Sequence, residues 1–288
     1  MAAGSALRGA GGIGGIGGIR RTSAAPAPRT RTATAPARPG PAKTRPGPAG
    51  TGRPPLLREL LLVTELFAVY KLGRLLANGH PGPAFRNAEG VWHLERALHL
   101  PGEGLVQRVL LRDETAVHLA NTYYAAVHFP ATLAFLVWLY WRRPAHYLWA
   151  RQALALLTAG ALALHLLLPL APPRLLASTH LVDTALRYGP SVYGAAPETD
   201  SLANQFAAMP SLHVGWALMV AVGVIAATRG RLRWLWLLHP LLTLLVVVGT
   251  ANHYWLDALA AAVLLGGALL VLRAAGARAV PAPRAVPA

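Results

Sequence analysis

The stretch "FAAMPSLHVGW" (Phe206–Trp216) decides how this chain is read. It sets a proline, a serine and a histidine at the mouth of a long apolar run that continues to about residue 228. A run of that length is a candidate membrane helix, and an ionisable ring at such a mouth is costly unless it has a task. About forty residues later, "TANHYWLD" (Thr250–Asp257) repeats the arrangement. Together the two mouths predict a bundle of membrane helices with chemistry gathered at one of its faces.

Composition agrees. Of 288 residues, 54% are hydrophobic and 13% charged, against about 45–50% apolar and about 25% charged in a soluble domain. There is no cysteine, which removes disulfides, thiolate nucleophiles and cysteine-bound metals. The formal net charge of +16 raises nucleic acid as a partner, but its placement argues against that. Residues 1–55 hold nine Arg or Lys and no acid, in a segment rich in Gly, Pro, Ala and Thr. Such a tail reads as disordered and basic, suited to anionic lipid, and no nucleic-acid partner is expected. Arg20–Arg21 is followed by no apolar stretch, so it is a poor export signal.

Six runs are long enough to span about 30 Å of hydrocarbon. They lie at about 56–77, 118–140, 147–170, 210–228, 233–251 and 254–273. The first is interrupted by Glu65 and Lys71. With the tail inside, the connections "WRRPAHYLWAR", "TRGRLRW" and "LRAAGAR" fall on the cytoplasmic face, with three, three and two arginines and no acid. The opposite side receives 78–117, with four Arg against five acids, and 171–207, with two against three. The positive-inside rule then puts both termini in the cytoplasm. The expected class is all-α: a disordered tail (1–55), a six-helix membrane catalytic domain (56–273) and a disordered C-terminal tail (274–288). The segment 89–112 alternates apolar and charged residues at helical spacing, which fits a surface-lying helix pair or a packed extramembrane cap.

This orientation brings three polar clusters to one membrane depth on the extracytoplasmic side: "PLAPPR", "MPSLH" and "NHYWLD". His253 and Asp257 are four apart at a helix start, so they share a face, and the acid can reach back to the ring. A carboxylate on one ring nitrogen leaves the other basic and aimed. The bland alternative is an acid complementing the helix dipole. His213 lies in the first turn of the fourth span, with Ser211 a fitting N-cap and Pro210 suited to a helix start. There the ring can protonate a leaving oxygen near an anion-binding helix end. Arg174 can grip phosphate oxygens, or merely snorkel. Asn252 and Tyr254, from the last cluster, are substrate-binding candidates. Asn121, Tyr124 and His128 fall on one stripe of the second span, where they bind a head group or tie helices together. His165 is weighed in the same way, and His239, near the inner end of span five, is assigned no role.

"MPSLH" with "NHYWLD" resembles the type 2 phosphatidic acid phosphatase superfamily, with its Pro-Ser-x-His and later His-x-x-x-Asp segments on a six-helix membrane core. His253, Tyr254 and Asp257 match the His-Tyr-x-x-Asp signature of the inositol phosphorylceramide synthase and sphingomyelin synthase-like branch. "APPR" (Ala171–Arg174) is similar to that branch's Ala-Pro-Pro turn. The resemblance covers about residues 56–273. The lysine of the phosphatases' first motif and the proline after its arginine are absent around Arg174, and Val246–Val247 stand where they carry Ser-Arg.

The resemblance implies a phosphohistidine at His253, oriented by Asp257, with His213 as acid and then base, and Arg174 and Ser211 holding phosphate oxygens. It implies membrane lipids as partners, no cofactor and no metal, in a bacterial-type plasma membrane. Fewer cations suit a singly charged phosphodiester, hence transfer between lipids. Hydrolysis of a phospholipid or polyprenyl phosphate, a zinc site and a non-catalytic lipid-binding or transport protein are the alternatives.

Overall fold

Each long apolar run folds as a helix, and the breaks between runs carry proline, glycine or polar clusters. The computed structural model describes residues 53–76, 81–190 and 205–278. All of them belong to one unit, Pro48–Ala288. Among the described residues there are ten α-helices and no strand. They are α1 Leu56–Leu76, α2 Pro81–Ala97, α3 Glu103–Leu110, α4 Glu114–Ala126 and α5 His128–Arg142. After these come α6 Pro144–Leu167, α7 Thr184–Tyr188, α8 Leu212–Ala227, α9 Leu238–Gly249 and α10 Trp255–Arg278. The expected basic tail lies almost wholly outside the described residues. α10 runs five residues past the predicted end of the membrane domain, and the chain beyond Arg278 is outside them too.

Among the described residues, three segments are long and apolar enough to cross a bilayer on their own: Pro144–Leu167, Arg231–Gly249 and Trp255–Gly276. The second joins a 3-10 turn, Arg231–Leu237, to α9. A fourth candidate is the pair α4 and α5, and here the structure corrects the expectation of one straight helix over 118–140. The two meet at Val127 with a bend of 50°. Pro130 is the cause: it has no N–H to give residue 126, and its ring crowds that carbonyl. At sixteen residues, α8 is about 24 Å long, short of a bilayer core. The described residues are therefore all-helical, with three or four candidate membrane spans among them.

The bundle centre packs Phe135 and Leu139 of α5, Ala153 and Leu157 of α6, Met219 and Val220 of α8 and Leu265 of α10. Small residues let the helices approach. A Cβ built on Gly223 would sit 2.3 Å from the Phe135 ring, and one on Gly215 would sit 3.1 Å from Leu157. Large apolar side chains also face outward: Leu57 is 71% exposed, Val263 65% and Leu270 66%. Apolar residues on both faces fit a lipid solvent.

Glu59 fastens α1 to α6. It is buried, accepts from the Tyr147 hydroxyl at 2.7 Å and pairs with Arg151. Beyond the bundle, α2 and α3 form a packed cap, the second of the two readings of 89–112. Ala84 and Ala88 of α2 are fully buried against Leu170, Ala171, Ala208 and Tyr254. From α3, the Gln107 amide donates to the carbonyls of Val182 (2.9 Å) and Gly249 (3.3 Å).

Candidate active site

The loop between α9 and α10 is set by its own backbone. The Asn252 N–H returns to the Val247 carbonyl (2.9 Å) and the Ala251 N–H to that of Val248 (2.9 Å). This double bond pattern closes a helix through a left-handed residue, a place usually given to glycine. Alanine fills it here, with φ of 55°. The turn throws Asn252, His253 and Tyr254 across the end of the bundle, where all three are buried. α10 then starts, and Asp257 in its first turn reaches back to accept the Tyr254 N–H at 2.9 Å. The acid therefore caps the helix as well as facing the histidine.

His253 Nδ1 lies 2.9 Å from the Ala208 carbonyl and 3.2 Å from Asp257 Oδ2. A carbonyl oxygen only accepts, so Nδ1 carries the hydrogen and, in the neutral ring, Nε2 carries the lone pair. The Ala208 carbonyl is itself positioned. Leu170 and Ala207 form a parallel bridge, the Leu170 N–H bonding to Phe206 (2.8 Å) and the Ala208 N–H to Leu170 (3.2 Å).

Ser211 caps α8, accepting from the Val214 N–H at 3.4 Å, while its own N–H donates to the Asp257 carbonyl at 3.0 Å. The first turns of α8 and α10 are thereby joined. His213, in the first turn of α8, brings its ring centroid to 5.9 Å from that of His253. Tyr124 stacks on the His213 ring at 4.3 Å, and the His128 ring lies 4.4 Å from it. The stripe read on the second span divides at this point. Tyr124 and His128 flank the histidines, whereas Asn121 donates to the Thr184 (3.0 Å) and Gly189 (2.8 Å) carbonyls and ties α4 to the α7 segment.

Arg174 is 7% exposed and holds protein oxygens. Nε donates to Asp183 (3.0 Å), Nη1 to Asn252 Oδ1 (2.8 Å) and Nη2 to Gln205 (3.1 Å). Its backbone N–H donates to Ala251 at 3.0 Å. The residue is thus a cross-tie that fixes the histidine loop, and Asn252 is its partner there. Asp183 and Gln205 were not legible in the sequence. Asp183 had one signal, as the N-cap of a short helix. Tyr254 is fully buried against the cap, away from any open surface. His165 Nε2 sits 3.2 Å from the Pro210 carbonyl and steadies the entry to α8.

His239 is nearer the site than its sequence position implies. A small cavity of about 10 Å³ is lined by Tyr123, Tyr124, His128, His213, His239 and Thr243. That is room for about one water molecule. His239 Nδ1 is 3.0 Å from the Tyr123 hydroxyl, which is 2.9 Å from Thr243 Oγ1. Among the described residues no group of three or more His, Asp or Glu is arranged to hold a metal ion, so the zinc alternative has no ligand set there.

No curated protein and no solved structure matches the chain. The family model for the PAP2 superfamily, by contrast, matches residues 89–271, from the cap to near the end of α10. The two histidine-bearing mouths, the segment 170–174 and α3 fall inside that match, which begins within α2, and the chain belongs to the PAP2 superfamily.

Proposed function

We propose that this protein is an integral-membrane lipid phosphotransferase that moves a phospho-head group between lipids through a phosphohistidine at His253. Family membership points to lipid phosphatase- or phosphotransferase-type activity. The observation that carries the finer reading is the pinning of His253 Nδ1 by the Ala208 carbonyl and Asp257, with the His213 ring 5.9 Å away.

In the first half-reaction the Nε2 lone pair attacks phosphorus in line. The P–N bond forms as the P–O bond to the donor lipid breaks, and His213 protonates the departing oxygen. In the second, His213 takes the proton of the acceptor hydroxyl, whose oxygen attacks phosphorus, and the electrons of the P–N bond return to Nε2. Asp257 stabilises the His253 ring while it carries positive charge. The first turn of α8, opened by Ser211, offers its Leu212 and His213 N–H groups to the developing phosphate charge, and Asn252, Tyr124 and His128 border it. Tyr254 supports the site from beneath.

Two features favour transfer of a singly charged phosphodiester. Val246 and Val247, both buried, stand where the phosphatases place Ser-Arg, and the Arg174 guanidinium is engaged by protein oxygens. Few cations remain to neutralise a doubly charged monoester. A groove of about 650 Å³ between α1, α5 and α6 suits a lipid chain. Phe67, Leu133 and Leu162 line it, and it ends on Trp216, whose ring stacks on His128 at 4.7 Å. The full topology belongs to the same proposal: six crossings in a bacterial-type plasma membrane, both termini cytoplasmic and the site extracytoplasmic.

The test is turnover of a radiolabelled phospholipid by the purified protein, with and without a lipid bearing a free hydroxyl. Transfer predicts label in the acceptor, lost in His253→Ala. Release of water-soluble phosphate alone would identify a hydrolase, and binding without turnover a non-catalytic protein.

A further inference from the structure

Three acids lie buried beside the first turn of α10: Asp257, Glu95 of α2 and Glu103 of α3, each fully inaccessible. Glu95 Oε1 accepts the Leu256 N–H at 2.8 Å, one residue before Asp257. Arg96 places Nη2 3.2 Å from Glu103 Oε2 and 3.6 Å from Glu95 Oε2, while its guanidinium lies over Trp92 at 4.2 Å. Glu95 Oε2, Glu103 Oε1 and Asp257 Oδ1 are buried with no hydrogen-bond donor among the described residues, and the Tyr254 hydroxyl has no partner there.

The charges do not balance. Glu95 and Glu103 face the single guanidinium of Arg96, while Asp257 faces the His253 ring. A buried carboxylate without a counter-charge is strongly disfavoured, and two that meet hold a proton between them. Arg96 is at hydrogen-bonding distance only from Glu103, which leaves Glu95 as the member of the pair that holds the proton.

We propose that Glu95 and Glu103 form a proton-sharing carboxyl pair that acts as a positioning element, clamping the cap onto the first turn of α10 and so fixing Asp257 and His253. Burial first, then the hydrogen bond that its protonated form donates to Glu103, pushes the Glu95 carboxyl up to about 9. The groups facing it are Glu103 from α3, Arg96 from α2, Asp257 from α10, and Tyr254 and His253 from the preceding loop. Near neutral pH the proton stays. Above about 9, Glu95 ionises against Glu103 and Asp257, and the clamp is pushed open. The positioning role rests on the phosphotransfer reading; the shared proton does not.

Two readouts therefore test it on the full-length protein in lipid. Infrared difference spectra near neutral pH are expected to show a protonated-carboxyl band that disappears above about pH 9 and is absent from Glu95→Gln. In the lipid-turnover assay, Glu95→Gln, whose amide both accepts from Leu256 and donates to Glu103, keeps activity within about twofold near neutral pH and loses the alkaline decline. Glu95→Ala falls at least about tenfold in kcat with KM little changed. A wild-type spectrum without the band, or Glu95→Ala and Glu95→Gln equally active at every pH, would overturn the pair. Absence of lipid turnover by the wild type would instead remove the phosphotransfer reading, and the infrared band would still decide the proton.

Discussion

Acids are buried at two places in this bundle, and they are treated differently. At Glu59 both oxygens are engaged, by the Tyr147 hydroxyl and Arg151. At the mouth of α10, Asp257, Glu95 and Glu103 each keep one buried oxygen without a donor among the described residues. The first arrangement can only hold helices together, because nothing is left to react. The second retains unspent polarity beside a histidine whose nitrogen roles are fixed. Polar groups that are satisfied hold the fold; those left partly unsatisfied in an otherwise well-packed region are where chemistry is prepared.

Mutations can break this contrast. Asp257→Asn keeps the shape but offers its loop the wrong hydrogen-bonding pattern, and turnover is expected to fall about 10³-fold or more, measured as kcat in lipid. Glu59→Ala should act on stability instead. It strands Arg151 inside the bundle at a cost of about 3 kcal/mol or more, read as a fall in thermal midpoint. The activity of the protein that remains folded should stay close to wild type. A Glu59 variant that folds normally but cannot turn over lipid would erase the distinction. Gly223→Ala drives a methyl into the Phe135 ring on α5 and should cost about 1–3 kcal/mol, again without a specific loss of chemistry.

The smallest effect sharpens the contrast by pH. Glu95 has a folded value near 9, raised from 4.5. The folded state therefore holds a proton that the unfolded chain has released. That stabilisation is complete below about 4.5 and declines as pH rises to about 9, where it is lost. Thermal midpoints of the wild type should slope downward across that window, and those of Glu95→Gln should slope less.

Much of this was legible in the sequence. The helices, apart from the bend, follow apolar length and polar punctuation. The pairing of His253 with Asp257 follows from a spacing of four at a helix start, and the approach of His213 from common membrane depth. The bend at Val127 was readable from Pro130, since the lost N–H is a local effect. Other features depended on contacts that no local pattern encodes. Glu95 meets Leu256 across 161 residues, and Arg174 meets Asn252 across 78. A periodic acid on an amphipathic helix gives no sign of whether water or another carboxyl will face it. Arg174 shows the same limit: the sequence presents its guanidinium as a candidate phosphate grip, and the contacts with Asp183, Asn252 and Gln205 come from distant segments. Likewise, His239 reaches the histidine cavity only through the packing of α9 against α4.

The central claim is that one imidazole nitrogen becomes bonded to phosphorus. The most direct measurement is a rapid quench of the working protein into alkali, which preserves a phosphorus–nitrogen bond, followed by peptide mass spectrometry. The account predicts a phospho-head-group adduct on His253 that forms with donor lipid and disappears when acceptor is added. An adduct on His213 instead, or full turnover by His253→Ala, would contradict it.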